Sequence, residues 1–139
     1  MQRIAGGATN GCPGAPAMER KQWLTHDQEV IRAYVEDPLC GFEFSASAMA
    51  ELVAGLAEFG SENWGAGVPK GLPVLIMAGQ EDRGGGFGKA PRYYARQLRA
   101  HGVRNVTMKI LPHARHEVLN ETNHVPADRA LLEWLETCL

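Results

Sequence analysis

Two side chains in this sequence have the type and the setting for proton chemistry: the carboxylate of Asp82 and the imidazole of His116. A carboxylate that accepts from one imidazole nitrogen decides which nitrogen carries the proton and leaves the other to take or give one. Asp82 follows the apolar run LPVLIMAG (Leu72–Gly79), which is bounded by Pro73 near its start and by a terminal glycine. Such a run suits a strand buried on both faces of a parallel sheet, and in open α/β sheets functional groups collect beyond the carboxyl ends of strands. His116 lies in PHARHEVLN, a polar segment that follows a second strand-like stretch.

The elements between them have to bring the two together. From Pro91 to His101 the pattern is helical: Pro91 suits the first helical position, Tyr94, Leu98 and His101 share a face, and Gly102 suits a left-handed stop. RNVTMKILP then alternates, with Val106, Met108 and Ile110 on one face and Asn105, Thr107 and Lys109 on the other, which predicts a strand from about Asn105 to Leu111. Strand, helix and strand make one right-handed βαβ unit, so both strands point the same way. The loops carrying Asp82 and His116 are therefore expected at the same edge of the sheet.

LPVLIMAGQED, the stretch GGFGKAPRYYARQLRAHGVRNVTMKILPHARHEVLNETN and a closing ALLEWL, with WLTHDQEVIRAYVEDPLCGFEFSASAM upstream, resemble an α/β-hydrolase. The group is that of monoacylglycerol lipases and lysophospholipases, serine aminopeptidase S33-like, and the resemblance is to its C-terminal half, over roughly Trp23 to Leu135. It implies that Asp82 is the triad acid and His116 the base. In that chemistry the imidazole takes a proton from a serine hydroxyl, while the carboxylate fixes its tautomer and stabilises the imidazolium. The order, acid before histidine, is the one this fold uses.

The nucleophile of that scheme has no counterpart here. None of the serines, Ser45, Ser47 and Ser61, stands in G-x-S-x-G, the strained elbow that exposes the hydroxyl. Cys12 lies between glycines in NGCPG, but the following residue must donate its amide to the oxyanion and Pro13 has none. The HG-type segment that would supply the other donor is also missing. The expected fold class is α/β, a partial α/β-hydrolase fold: the last parallel strands with flanking helices and part of the cap, with the N-terminal strands and nucleophile elbow absent. On this reading the sequence is the latter part of an enzyme, starting inside the cap region.

The whole chain has 139 residues, 45% hydrophobic and 22% charged, with a net charge of -2, which fits one soluble globular unit and argues against nucleic acid as a partner. Three cysteines without CxxC spacing indicate neither a disulfide framework nor a zinc site, and a reducing cytoplasm is the expected compartment. No run approaches the ~18 apolar residues of a transmembrane helix, and the first residues lack the order of a signal peptide. Residues 1 to 20, rich in Gly, Ala and Pro, are expected to form a poorly ordered lead-in, with residues 21–139 as the hydrolase portion. Cap helices are expected over about 23–60. Thr25 and Gln28 have capping-box spacing ahead of the stripe Val30, Ile31, Tyr34 and Val35, and a second helix, about Ser47 to Glu58, carries Met49, Leu52, Val53 and Leu56 at core spacing. Trp64 is a candidate packing anchor in the linker that follows. The βαβ core and final helix are expected over about 72–138, with Ala127, Leu131, Trp134, Leu135 and Cys138 facing the sheet.

Other motifs fall short. Gly84 to Ala90, GGGFGKA, lacks the first glycine and the final Ser or Thr of a phosphate loop and reads as a flexible turn. His116-Glu117 begins like H-E-x-x-H, but Asn120 stands at the second histidine, and His113, Glu121 and His124 read as surface polar residues. No metal or cofactor is expected. Arg83 stands where the family has a small or apolar residue and is expected to pair with Asp82 and compete with the histidine. Two functions follow as expectations. One is a serine hydrolase acting on an acyl ester or lipid. The other is a non-catalytic remnant that binds a partner, self-associating through the unpaired edge of the Leu72–Gly79 strand.

Overall fold

The structure, a computed structural model, describes residues 15–61 and 63–139. Its centre is a two-stranded parallel sheet of β1 (Val74–Gly79) and β2 (Val106–Leu111), with Val74 opposite Val106 and Gly79 opposite Leu111. The chain crosses between them through a helix at Lys89–Ala100 (α4, after three helices described below). Strand alternation separates the two faces. Val74, Ile76, Val106 and Met108 pack with Ala95 and Leu98 of α4 and with Val103, whereas Leu111 packs with Ala114 and with Ala127 of α5 (Val125–Glu136). One helix thus covers each face. β1 is nevertheless only half-buried until Ala78 and Gly79, not enclosed on both faces as its apolar sequence implies. Among the described residues β2 is the only strand beside it, so one edge of β1 has no ladder partner.

Local chemistry explains the element ends. α4 starts two residues before Pro91, which occupies the third helical position, because the left-handed Gly88 (φ +82°) starts the turn earlier. It ends as expected, with His101 as C-cap and Gly102 left-handed at φ +87°. Trp64 is the anchor its position suggested: it packs on the α4 core, with ring centroids 4.8 Å from Tyr94 and 6.0 Å from Phe59. In α5, Ala127 and Ala130 are buried, Leu131 and Trp134 half-buried, and Leu135 and Cys138 exposed, so the seam lies one turn closer to the helix start than the larger side chains indicate.

The upstream helices differ more. Ala17–Arg20 (α1) forms a single helical turn within the stretch expected to be a poorly ordered lead-in; Cys12 lies outside the described residues. In α2 (Gln28–Glu36) the N-cap is Asp27, whose carboxylate accepts from the Glu29 and Val30 amides, and not Thr25. Thr25 is fully buried and used elsewhere. Ile31 is the buried centre of the α2 stripe. In α3 (Ala46–Phe59), capped by Ser45, the expected core stripe is open to solvent: Met49, Leu52, Val53 and Leu56 are all exposed, as are Phe42, Phe44 and Phe59 around them. The helical spacing is correct, but no described element lies against that face.

Candidate functional site

Both strands end level, and the loops that leave them are joined by backbone hydrogen bonds: the Gln80 amide donates to the Leu111 carbonyl at 2.8 Å, and the Glu81 amide to the Ala114 carbonyl at 2.8 Å. This stitching brings the two sequence candidates together. Nδ1 of His116 lies 3.1 Å from Oδ1 of Asp82. The Asp82 residue is 5% exposed, while the His116 side chain is 45% exposed. A buried carboxylate is stable only with a partner, and the imidazole is that partner. With Nδ1 on Asp82, Nε2 is the ring atom left for proton transfer.

The Asp82 carboxylate is enclosed by the glycine run that the sequence presents as a mere turn. A Cβ on Gly85 would fall 2.6 Å from Oδ2 of Asp82, and one on Gly84 would fall 3.2 Å from Oδ1 and 3.5 Å from Nδ1 of His116. Only glycine lets this backbone close over the pair. The turn runs through positive φ at Gly86, Phe87 and Gly88, and Phe87 in that region costs roughly 1–2 kcal/mol. Its amide, which donates to the Asp82 carbonyl at 2.7 Å, helps to hold it there. Arg83 does not compete: it is exposed, and the Asp82 carboxylate is in contact with His116. The indole of Trp23 rests against the imidazole, with ring centroids 4.8 Å apart and planes at 57°.

A second cluster holds the histidine loop, and sequence spacing did not reveal it. Glu121, expected at the surface, is 4% exposed. Its Oε1 accepts from the Arg115 amide at 2.6 Å; its Oε2 accepts from the His26 amide at 2.9 Å and the Thr25 hydroxyl at 3.2 Å, and lies 3.0 Å from Nδ1 of His26. Burial by itself would raise the Glu121 carboxyl, but the amides of Arg115 and His26 and the His26 ring outweigh it and hold the group below its ordinary value. The Arg115 guanidinium donates to the backbone carbonyls of Gln22 and Thr25, and the Glu117 amide donates to the Leu24 carbonyl at 2.8 Å. His113 and His124 are exposed as expected, His124 against Asp128. Among the described residues no group of His, Cys, Asp and Glu is arranged to hold a metal ion, and no helix is long and apolar enough to cross a membrane.

The family model for serine aminopeptidase, S33, matches residues 3–123. The chain belongs to that family. Solved structures agree on the fold. A highly thermostable carboxyl esterase from Bacillus coagulans, in complex with glycerol, aligns with a TM-score of 0.76 at 20% identity, over 98% of this chain and 41% of its own. A lipase in an open form aligns with a TM-score of 0.67 at 24% identity, over 83% of this chain and 37% of its own. This S33-family chain therefore spans about two fifths of the length of those α/β-hydrolases and has part of their fold. No curated protein matches it in sequence.

Proposed function

We propose that this S33-family chain carries the acid and base of a serine hydrolase acting on carboxylic esters, with Asp82 as acid and His116 as base. The observation that carries this is the 3.1 Å contact between Nδ1 of His116 and the buried carboxylate of Asp82. In the reaction, Nε2 would take the proton of a serine hydroxyl as it attacks the ester carbonyl, then return it to the leaving alcohol; the acyl-serine would be hydrolysed by water activated at the same nitrogen. Asp82 would keep the ring in the Nδ1–H tautomer and stabilise the imidazolium. The substrate class proposed is a monoacylglycerol, a lysophospholipid or a short acyl ester. The names of the two structural relatives, a carboxyl esterase and a lipase, are in keeping with it.

The nucleophile is the missing part. Ser45 and Ser47 sit together at the start of α3, their hydroxyls 3.0 Å apart, and Ser61 follows its end, each outside any G-x-S-x-G sequence. A second reading is therefore kept, a non-catalytic hydrolase remnant acting as a binding module. The unpaired edge of β1 and the exposed apolar face of α3 favour it, and self-association is its simplest form. The test is to incubate the 139-residue chain with p-nitrophenyl esters of increasing acyl length and with a fluorophosphonate probe, beside His116→Ala. Turnover and labelling that both vanish in His116→Ala support the hydrolase reading. Their absence in the unaltered chain shows that acid and base here act on no serine of their own and favours the binding module.

A further inference from the structure

The Asp82–His116 contact is not the only bridge between the two loops. The residue before each member of the pair takes part in a parallel one. Arg115, next to His116, donates its amide to Oε1 of Glu121; Oε2 of Glu121 lies against Nδ1 of His26; and Nε2 of His26 lies 3.4 Å from Oε2 of Glu81, next to Asp82. His113 reaches the other oxygen of Glu81 at 3.5 Å. On the far side of His116, the Glu117 amide is tied to Leu24. The histidine is thus fixed from both neighbours, and the buried carboxylate of Glu121 links the Arg115 amide to the His26 ring.

Glu121 is suited to this by charge and by shape. Its two oxygens face different backbone amides, that of Arg115 and that of His26, so both must be acceptors. A glutamine would present an NH2 group to one of those donors and leave it unpaired. Few groups other than a carboxylate satisfy all the donors in so small a buried space.

We infer that Glu121 is a positioning residue, which acts through the Arg115 amide and the His26 ring to hold the His116 imidazole on Asp82. The inference rests on the reading of Asp82 and His116 as an acid–base pair, and the two can fail separately. A histidine held on a carboxylate through Nδ1 keeps its proton there, whereas a released imidazole redistributes it between the two nitrogens. The nitrogen chemical shifts of the neutral His116 ring, assigned with His116→Gln, report that distribution directly.

The expected result is a predominant Nδ1–H form in the unaltered chain, lost in Asp82→Ala and reduced nearly as far in Glu121→Ala. Glu121→Gln should give a smaller loss, and Glu121→Ala in the Asp82→Ala background no further change. Far-ultraviolet circular dichroism establishes that each variant is folded, and if Glu121→Ala is not, Glu121→Gln carries the test. An unchanged tautomer distribution in folded Glu121 variants, with Asp82→Ala still effective, overturns the positioning role alone. A distribution indifferent to Asp82→Ala overturns the acid–base pair and the inference with it.

Discussion

Among the described glycines, Gly79 leaves the least room for the Cβ that Gly79→Ala would add. A Cβ on Gly79 would stand 2.0 Å from the Arg115 carbonyl oxygen and 2.1 Å from that of Ala114. Real Cβ contacts do not fall below 3.0 Å, so the last residue of β1 and the histidine loop must separate by about 1 Å. Backbone atoms cannot rotate out of the way as a side chain can. Overpacking of this kind costs about 1–3 kcal/mol, and the Glu81 to Ala114 hydrogen bond would be loosened at up to about 1 kcal/mol more, which totals about 3 kcal/mol. With a urea slope of about 1.5 kcal/mol/M for a chain of this size, the unfolding midpoint should fall by about 2 M. The same substitution at Gly55, where a Cβ meets nothing within 4 Å and the residue sits inside α3, should instead stabilise by about 0.5–1 kcal/mol. A Gly79→Ala variant that unfolds within about 0.5 kcal/mol of the parent would refute the claim that strand end and histidine loop are in rigid contact.

Other expectations follow from single groups. Because the Glu121 carboxyl is held below its ordinary value, its contribution is complete above the usual carboxyl range and is lost as pH falls through the lowered value. Urea midpoints of the parent and Glu121→Gln should therefore differ at about pH 7, and the difference should shrink as the pH is lowered below the usual carboxyl range. Asp27→Ala removes the α2 cap and should cost about 1 kcal/mol in the same assay. Local burial, and then the Asp37 carboxylate, push the Cys40 thiol up, so Asp37→Asn should speed alkylation of Cys40 at mildly alkaline pH, measured by mass spectrometry.

The legible parts of this protein were those whose partners lie close in sequence. LPVLIMAG, the alternation through Val106 and Ile110, and Gly102 specify strand, strand and helix stop from within a few residues, and one crossover then brings Asp82 and His116 to a common edge. Other features depend on distant contacts. Thr25 has the spacing of a cap but is used by Asn120 and Glu121, which no local pattern announces. Glu121 looks like any loop carboxylate until the Arg115 and His26 amides converge on it. The apolar stripe of α3 shows that one face of the helix is suited to burial, but periodicity is silent on whether a neighbour is there to bury it. The glycines after Asp82 carried a readable signal: three in a row beside a carboxylate mark close backbone approach as well as a turn.

The bonds from Thr25 to the histidine loop also set an order of assembly. The strands pair between residues such as Val74 and Val106, whereas the Thr25 hydroxyl reaches a carboxylate 96 positions away. The longer closure costs only about 1 kcal/mol more in chain entropy, so it is easily sustained once made. Yet it has a target only after β2 has formed and delivered the loop to the sheet edge. The βαβ unit should therefore form first and the Gln22–Thr25 segment dock last, so that brief detachment of that segment would free His116 while the sheet stays intact. In hydrogen exchange, amides of the histidine loop should open well before those of β1 and β2, and the Asp82–His116 contact would be the last made on folding and the first lost.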